Sequence, residues 1–171
     1  LSTNRSVYGY LSIGGTFVVD YYLNSCSTNT KAKIGANSGK KLEKGQIIHL
    51  KNIKKILPKN KIEYLNSKIE NIRIIKGPHF DYFSKDAIYS FFSNEFNVTK
   101  LSDRMGIRLK GPKINNIKNT NIKSEGLVKG VIQITADGDP IIMLSDHGTI
   151  GGYPKIGVVI SADYDKLVQI P

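Results

Sequence analysis

The stretch "VIQITADGDPIIML", from Val131 to Leu144, contains two apolar runs on either side of an Asp-Gly pair. Both runs are short and rich in β-branched residues, which favours strands over helices. The pair Asp137-Gly138 accepts the positive φ that a hairpin turn requires. The stretch therefore predicts an antiparallel β-hairpin.

Similar short runs lie on both sides of this hairpin, separated by Gly, Asn, Asp and Pro. They predict further strands at Val7 to Ile13, Phe17 to Tyr22, Gln46 to Leu50, Asn71 to Lys76, Arg104 to Lys110 and Ile156 to Ser161. Within the opening stretch, the two strands are expected at Gly130 to Thr135 and Pro140 to Leu144.

Two segments have helical character. The spacing of apolar residues predicts a helix from Ser84 to Phe96, with Ser84 as its cap and Asp86 near its positive end. A second short helix is predicted at "DYDKLVQI", with Asp163 as the cap. Many short strands with one or two helices indicate a mainly β fold, a barrel or a sandwich decorated by helices.

The composition is that of an ordinary globular protein. The 171 residues, 40% hydrophobic and 23% charged, suit one domain or two small lobes with a real core. The net charge of +11 comes from scattered lysines without interleaved aromatic rings, which favours a solvated surface over a nucleic-acid partner. No apolar run of about 18 residues and no leader pattern is present, so no membrane partner is expected.

Several kinds of chemical site are disfavoured. The single cysteine, Cys26, excludes an internal disulfide and fits the cytoplasm, and its "NSCST" context is as typical of a turn as of a nucleophile. His49, His79 and His147 lack the spacing of a metal-ligand set, so no metal is predicted. No phosphate-binding glycine loop is present, so we expect the chain alone to bind no nucleotide.

The loop "SDHGTIGGYP" gathers residues that suit catalysis directly after the hairpin. Asp146 is a candidate base, Thr149 offers a hydroxyl, and the pair Gly151-Gly152 offers backbone N–H groups to an anionic oxygen. Tyr153 adds a ring face with a phenol tip. The loop is therefore predicted to be a site.

Two further segments add charged candidates. Arg104 and Arg108 are four residues apart, so on one strand they would share a face and clamp a carboxylate or phosphate, or serve as surface ion-pair partners. In Ser124-Glu125-Gly126, a carboxylate stands beside a glycine, which indicates either a site or a plain turn.

Four motifs in this order carry a family resemblance: "DRMGIRLKGP", "SEGLVKGVIQI", "DGDPIIML" and "DHGTIGGYP". They resemble the family of 5-oxoprolinase C subunits, also called KipA or allophanate hydrolase subunit 2, which is similar to half of the carboxyltransferase domain of urea carboxylase. The resemblance implies cyclophilin-like β-barrel units in two lobes. It predicts residues 1–57 as the end of a first lobe whose beginning lies upstream, 58–70 as a connection, and 71–171 as the barrel lobe.

The upstream segments also match, with differences. Asn24 and Cys26 stand where the family pattern has Gly and Arg, and His147-Gly148 stands where it has Arg-Gln. A neutral histidine and a glycine lack the two-pronged guanidinium, so anchoring of a substrate by that arginine is not expected here.

The resemblance implies a component that is inactive alone and acts in an ATP-dependent 5-oxoprolinase complex, together with the A subunit and a KipI-like B subunit. A regulatory protein that binds a KipI-like kinase inhibitor and a biotin-dependent carboxyltransferase are the alternatives. The oxoprolinase and carboxyltransferase chemistries both act on a small amide or ureido carbonyl. The implied catalytic residues are Asp146, Tyr153 and Glu125. The implied substrate-binding residues are Arg104, Arg108, Ser124, Gln133, Thr149, Gly151 and Gly152.

Overall fold

The computed structural model describes residues 7–54, 71–118 and 120–171. The chain forms two compact units, Tyr10–Tyr64 and a second one made of Leu1–Gly9 with Leu65–Pro171. The predicted connection at 58–70 lies outside the described residues.

Within its described residues, 10–54, the unit Tyr10–Tyr64 contains four very short strands. They are β1 (Thr16–Phe17), β2 (Thr28–Asn29), β3 (Ile34–Gly35) and β4 (Leu50–Lys51). Strand β1 pairs with β4 and β2 pairs with β3, both antiparallel.

The three strands predicted before residue 54 are largely wrong. No strand forms in the segment 7–13, where Tyr10 and Leu11 are exposed. Only the first residue of Phe17 to Tyr22 and the last of Gln46 to Leu50 lie in strands. Alternating apolar residues specify a strand only where one face is buried against a core, and these side chains are mostly exposed.

In the part of the larger unit that the structure describes, an antiparallel sheet has six strands in the order β5-β12-β9-β10-β7-β6, and a separate two-stranded sheet pairs β8 with β11. The strands are β5 (Ile74–Lys76), β6 (Asn97–Val98), β7 (Gly106–Lys110), β8 (Glu125–Gly126), β9 (Val131–Ile134), β10 (Pro140–Met143), β11 (Ile150–Gly151) and β12 (Lys155–Val159). The predicted strands of this unit are confirmed with shifted ends.

The mainly β class is confirmed, with helices α1 (Lys85–Ser93) and α2 (Ser161–Leu167). The six main strands do not close into a barrel within the described residues, because β5 and β6 end the sheet as its two edges.

The hairpin predicted from the opening stretch is present as β9 and β10. Pro140 lies opposite Ile134, and Gly138 has a φ of 78°. The Gly138 N–H donates to the Thr135 carbonyl at 2.9 Å and closes the turn. The hairpin is buried on both faces: Ile132, Ile134 and Ile142 belong to the main core, and Val131, Ile141 and Met143 form a smaller cluster.

The helices cover the main core. In α1, the Ala87 N–H donates to the Ser84 hydroxyl at 3.1 Å, which confirms the predicted cap, and the helix ends at Ser93 rather than Phe96. Helix α2 begins at Ser161, so the predicted Asp163 cap is wrong. Asp163 instead accepts from the Arg73 backbone N–H at 2.9 Å and from its guanidinium at 2.8 and 2.7 Å, because this buried carboxylate needs charged and polar donors.

Candidate functional site

Strands β8 and β11 bring two of the sequence motifs together. Glu125 lies opposite Gly151, and the pairing continues where the Leu127 N–H donates to the Thr149 carbonyl at 2.9 Å. We call this two-stranded sheet the β8–β11 rim. It places the predicted Glu125 carboxylate beside the predicted glycine pair.

Gly151, at the end of β11, and Gly152, which follows it, both lie close to neighbouring atoms. A Cβ at Gly151 would lie 2.8 Å from the Gln133 amide nitrogen, and one at Gly152 would lie 3.0 Å from the Ile122 carbonyl and 3.5 Å from the Ser124 hydroxyl. Neither glycine has a positive φ. The pair therefore admits neighbouring groups to the backbone, which a side chain would prevent.

Gln133 makes a hydrogen bond to the backbone of this loop. Its side chain is buried on β9, and its amide donates to the Tyr153 carbonyl at 3.0 Å. The predicted substrate-binding glutamine thus holds the backbone of the predicted catalytic tyrosine.

Glu125 has two partners that sequence reasoning did not assign to the site. Lys155 Nζ lies 2.8 Å from Glu125 Oε2, and His79 Nε2 lies 3.6 Å from Oε1. The Lys155 and His79 side chains are 4% and 9% exposed, whereas that of Glu125 is 48% exposed. A buried ammonium and a buried imidazole therefore face a carboxylate that remains open to solvent.

The charges of this cluster favour an ionised Glu125. The hydrogen bond from Lys155 lowers the pKa of Glu125 below its usual value, burial opposes the shift, and the charges of Lys155 and His79 add to it. A carboxylate with a lowered pKa is a weak proton acceptor near neutral pH. It remains a strong hydrogen-bond acceptor.

Arg104 and Asp146 form a second pair. Arg104 Nε lies 2.9 Å from Asp146 Oδ2, and the Asp146 N–H donates to the Arg104 carbonyl at 3.1 Å. Arg104 lies in the turn before β7, whereas Arg108 lies within the strand. The expectation that both arginines share one strand face is therefore wrong, because the strand begins only at Gly106.

The chain matches a known family over nearly its whole length. The family model described as "Carboxyltransferase domain, subdomain A and B" matches residues 2–171. The chain belongs to this carboxyltransferase-domain family. The family suspected from the four motifs is thereby confirmed.

Two curated members of the family are similar over nearly the whole chain. The chain is 34% identical to the C subunit of 5-oxoprolinase from Haemophilus influenzae, over 96% of the chain and 53% of the relative. It is 32% identical to the C subunit of 5-oxoprolinase from Escherichia coli, over 100% of the chain and 56% of the relative. The chain therefore spans about half the length of the curated relatives it matches.

A solved structure supports the same fold. The crystal structure of the K. lactis urea amidolyase matches with a TM-score of 0.73 and 26% sequence identity, over 94% of this chain and 11% of that one. This carboxyltransferase-domain chain thus shares its fold with a segment of a much larger protein.

Two residues of the cluster were missed at the level of sequence. Lys155 follows the loop that contains the glycine pair, but a lysine beside an apolar run is usually exposed, so its burial is not apparent from the sequence. His79 could not be assigned either, because only folding brings it to Lys155, whose backbone N–H donates to His79 Nδ1 at 3.3 Å.

The unit Tyr10–Tyr64 has a cavity of its own, of about 680 Å³. Apolar side chains such as Phe17 and Ile48 line it together with Cys26, Lys40 and His49. Asn24, which stands at a family glycine, has a φ of 61°, a conformation that asparagine tolerates better than most residues.

Metal ligation has no support in the described ranges. No group of three or more His, Cys, Asp or Glu side chains in residues 7–54, 71–118 and 120–171 is arranged to hold a metal ion. None of the helices in those ranges has the length and apolar character needed to cross a membrane.

Proposed function

We propose that the chain is a functional part of the C subunit of an ATP-dependent 5-oxoprolinase complex, which opens 5-oxoproline to glutamate. The observation that carries this proposal is the similarity to two curated 5-oxoprolinase C subunits, at 34% and 32% identity over nearly the whole chain. The reaction consumes ATP and two waters and releases ADP, phosphate and glutamate.

The β8–β11 rim supports the proposal chemically. Opening a lactam develops negative charge on its carbonyl oxygen, and backbone N–H groups held in fixed positions stabilise such charge. Neighbouring protein atoms fill the space that side chains would occupy at Gly151 and Gly152, which holds this backbone in a fixed position, and the ionised Glu125 lies opposite Gly151. In this proposal Tyr153 packs on the ring, and Arg104 or Arg108 binds the substrate carboxylate.

The chain acts with partners in this proposal. The word "subunit" in the names of both relatives implies a complex, which we propose to include an A subunit and a KipI-like B subunit in the cytoplasm. ATP is used by the complex rather than by this chain alone.

Reconstitution tests this function directly. The full-length protein, assembled with the A and B subunits, should convert 5-oxoproline in an ATP-dependent manner, and Tyr153→Phe and Glu125→Gln should reduce the rate. Glu95→Gln, an exposed glutamate outside the rim, serves as the matched control. Assembly with a KipI-like partner but no turnover would refute the enzymatic proposal and favour the regulatory role.

A carboxyltransferase function is the second candidate, because the family model and the urea amidolyase structure both match. It requires carboxylation of urea or a similar ureido compound that depends on a biotinyl protein. Avidin-sensitive activity with urea, and none with 5-oxoproline, would select it.

A further inference from the structure

The Glu125 carboxylate contacts two buried side chains and is also partly exposed to solvent. Lys155 holds Oε2 at 2.8 Å and His79 faces Oε1 at 3.6 Å, and both of these side chains are buried. An ionised carboxylate has about four acceptor positions, and these two contacts leave the others free for a ligand. Since nearly half of the Glu125 side chain is exposed, the remaining positions face solvent.

The histidine is held in one tautomer. Its Nδ1 accepts the backbone N–H of Lys155 at 3.3 Å, so in the neutral ring the proton is on Nε2, the atom that faces Glu125. His79 is fixed in turn by its own backbone N–H, which donates to the Lys155 carbonyl at 3.2 Å. Lys155 Nζ and His79 Nε2 therefore both face Glu125 as hydrogen-bond donors.

This arrangement suits the binding of a donor better than the transfer of a proton. We propose that the Glu125 carboxylate accepts the N–H of a small planar amide substrate, and that buried Lys155 is the positioning residue that holds it for this contact. That this amide is a lactam rests on the proposed function. The proposal gives Glu125 a binding role instead of the catalytic role that the family resemblance implies.

Isosteric ligands test the contact. A lactone has a ring oxygen in place of the lactam N–H, so it matches the lactam in shape but cannot donate. The assembled complex should bind 5-oxoproline roughly 10- to 100-fold more tightly than the corresponding lactone, the range expected for a hydrogen bond to a charged acceptor. The unsubstituted pair, 2-pyrrolidinone and γ-butyrolactone, should show the same preference in ligand-observed NMR.

Glu125→Gln should remove this preference, because the buried Lys155 ammonium engages the one remaining acceptor oxygen, and the NH₂ group that replaces the other oxygen donates rather than accepts. Glu95→Gln should keep it. An unchanged preference in Glu125→Gln, or no binding of either lactam to the wild-type complex, would overturn the proposal. These are binding measurements, whereas failure of turnover in the same preparation would count only against the proposed function.

Lys155→Met tests the positioning role through pH. The charged groups that face Glu125 are Lys155 on β12 and His79 before the 3-10 turn Phe80–Tyr82, and Lys155 has the larger effect on the Glu125 pKa. The preference for lactam over lactone requires an ionised Glu125, so in the wild type it should persist down to below about pH 4.5. In folded Lys155→Met it should be lost at a higher pH, because burial still raises the Glu125 pKa and the hydrogen bond from Lys155 no longer lowers it.

If folded Lys155→Met lost the preference for lactam over lactone at the same pH as the wild type, the positioning role of Lys155 would be refuted. If that variant does not fold, Lys155→Gln retains the test of the positioning role, and Glu125→Gln still tests the contact with the amide N–H.

Discussion

Replacement of Gly77 by alanine should force the sheet apart beside the candidate site. A Cβ at this position would lie 2.4 Å from the Lys155 carbonyl oxygen, 2.8 Å from the Gly157 nitrogen and 2.9 Å from the Ile156 carbonyl carbon. All three are backbone atoms of β12, which lies between β5 and β9. A side chain can rotate away from such a contact, but a paired strand has to move as a whole.

The size of the effect follows from these distances. Ordinary Cβ contacts begin at 3.4 Å, so the strands must separate by up to about 1 Å. Overpacking in a core typically costs about 1–3 kcal/mol. The Gly77 N–H also donates to the Ile156 carbonyl at 3.0 Å, and a weakened hydrogen bond adds about 1 kcal/mol. We expect a loss of about 3 kcal/mol in the free energy of unfolding.

Urea unfolding followed by circular dichroism measures this loss. Gly126→Ala is the matched control, because nothing lies within 4 Å of its added Cβ and its φ is not positive. The control should remain within about 0.5 kcal/mol of the wild type. If Gly77→Ala were as stable as Gly126→Ala, the close approach of Gly77 to β12 would be wrong.

Three further changes probe the fold. Arg73 holds the pKa of Asp163 well below its usual range, so the Arg73–Asp163 pair stabilises the fold fully above about pH 4 and loses this effect as the pH falls further. In urea titrations Asp163→Asn should be less stable than the wild type at about pH 7 and should approach it in acid. A difference in unfolding free energy that stays constant with pH would refute this. Gly138→Ala should lower the free energy of unfolding by about 1–2 kcal/mol because its φ is 78°, and an unchanged urea midpoint would contradict the turn geometry. Ile156→Ala empties a fully buried position and should lose about 2–5 kcal/mol by the same assay, whereas a loss below about 1 kcal/mol would place Ile156 outside the core.

The sequence predicts those elements best whose formation depends on residues close together in the chain. The β9–β10 hairpin needed only two apolar runs and Gly138, and the start of α1 needed only Ser84, so both predictions are confirmed. The segment 7–13 is also rich in apolar residues but forms no strand. The difference is burial, which depends on contacts distant in sequence and which the local pattern alone does not reveal.

The same distinction explains what was predicted of the candidate site. The motifs identified Glu125 and the glycine pair, because a plain loop needs a glycine but not this combination of residue types. They did not reveal Lys155 and His79, which are 76 residues apart and meet only through the pairing of β5 with β12. Yet these two residues decide what Glu125 can do, because a carboxylate facing a buried ammonium remains ionised. A residue type therefore suggests a set of chemical roles, and the buried charges around it select one of them.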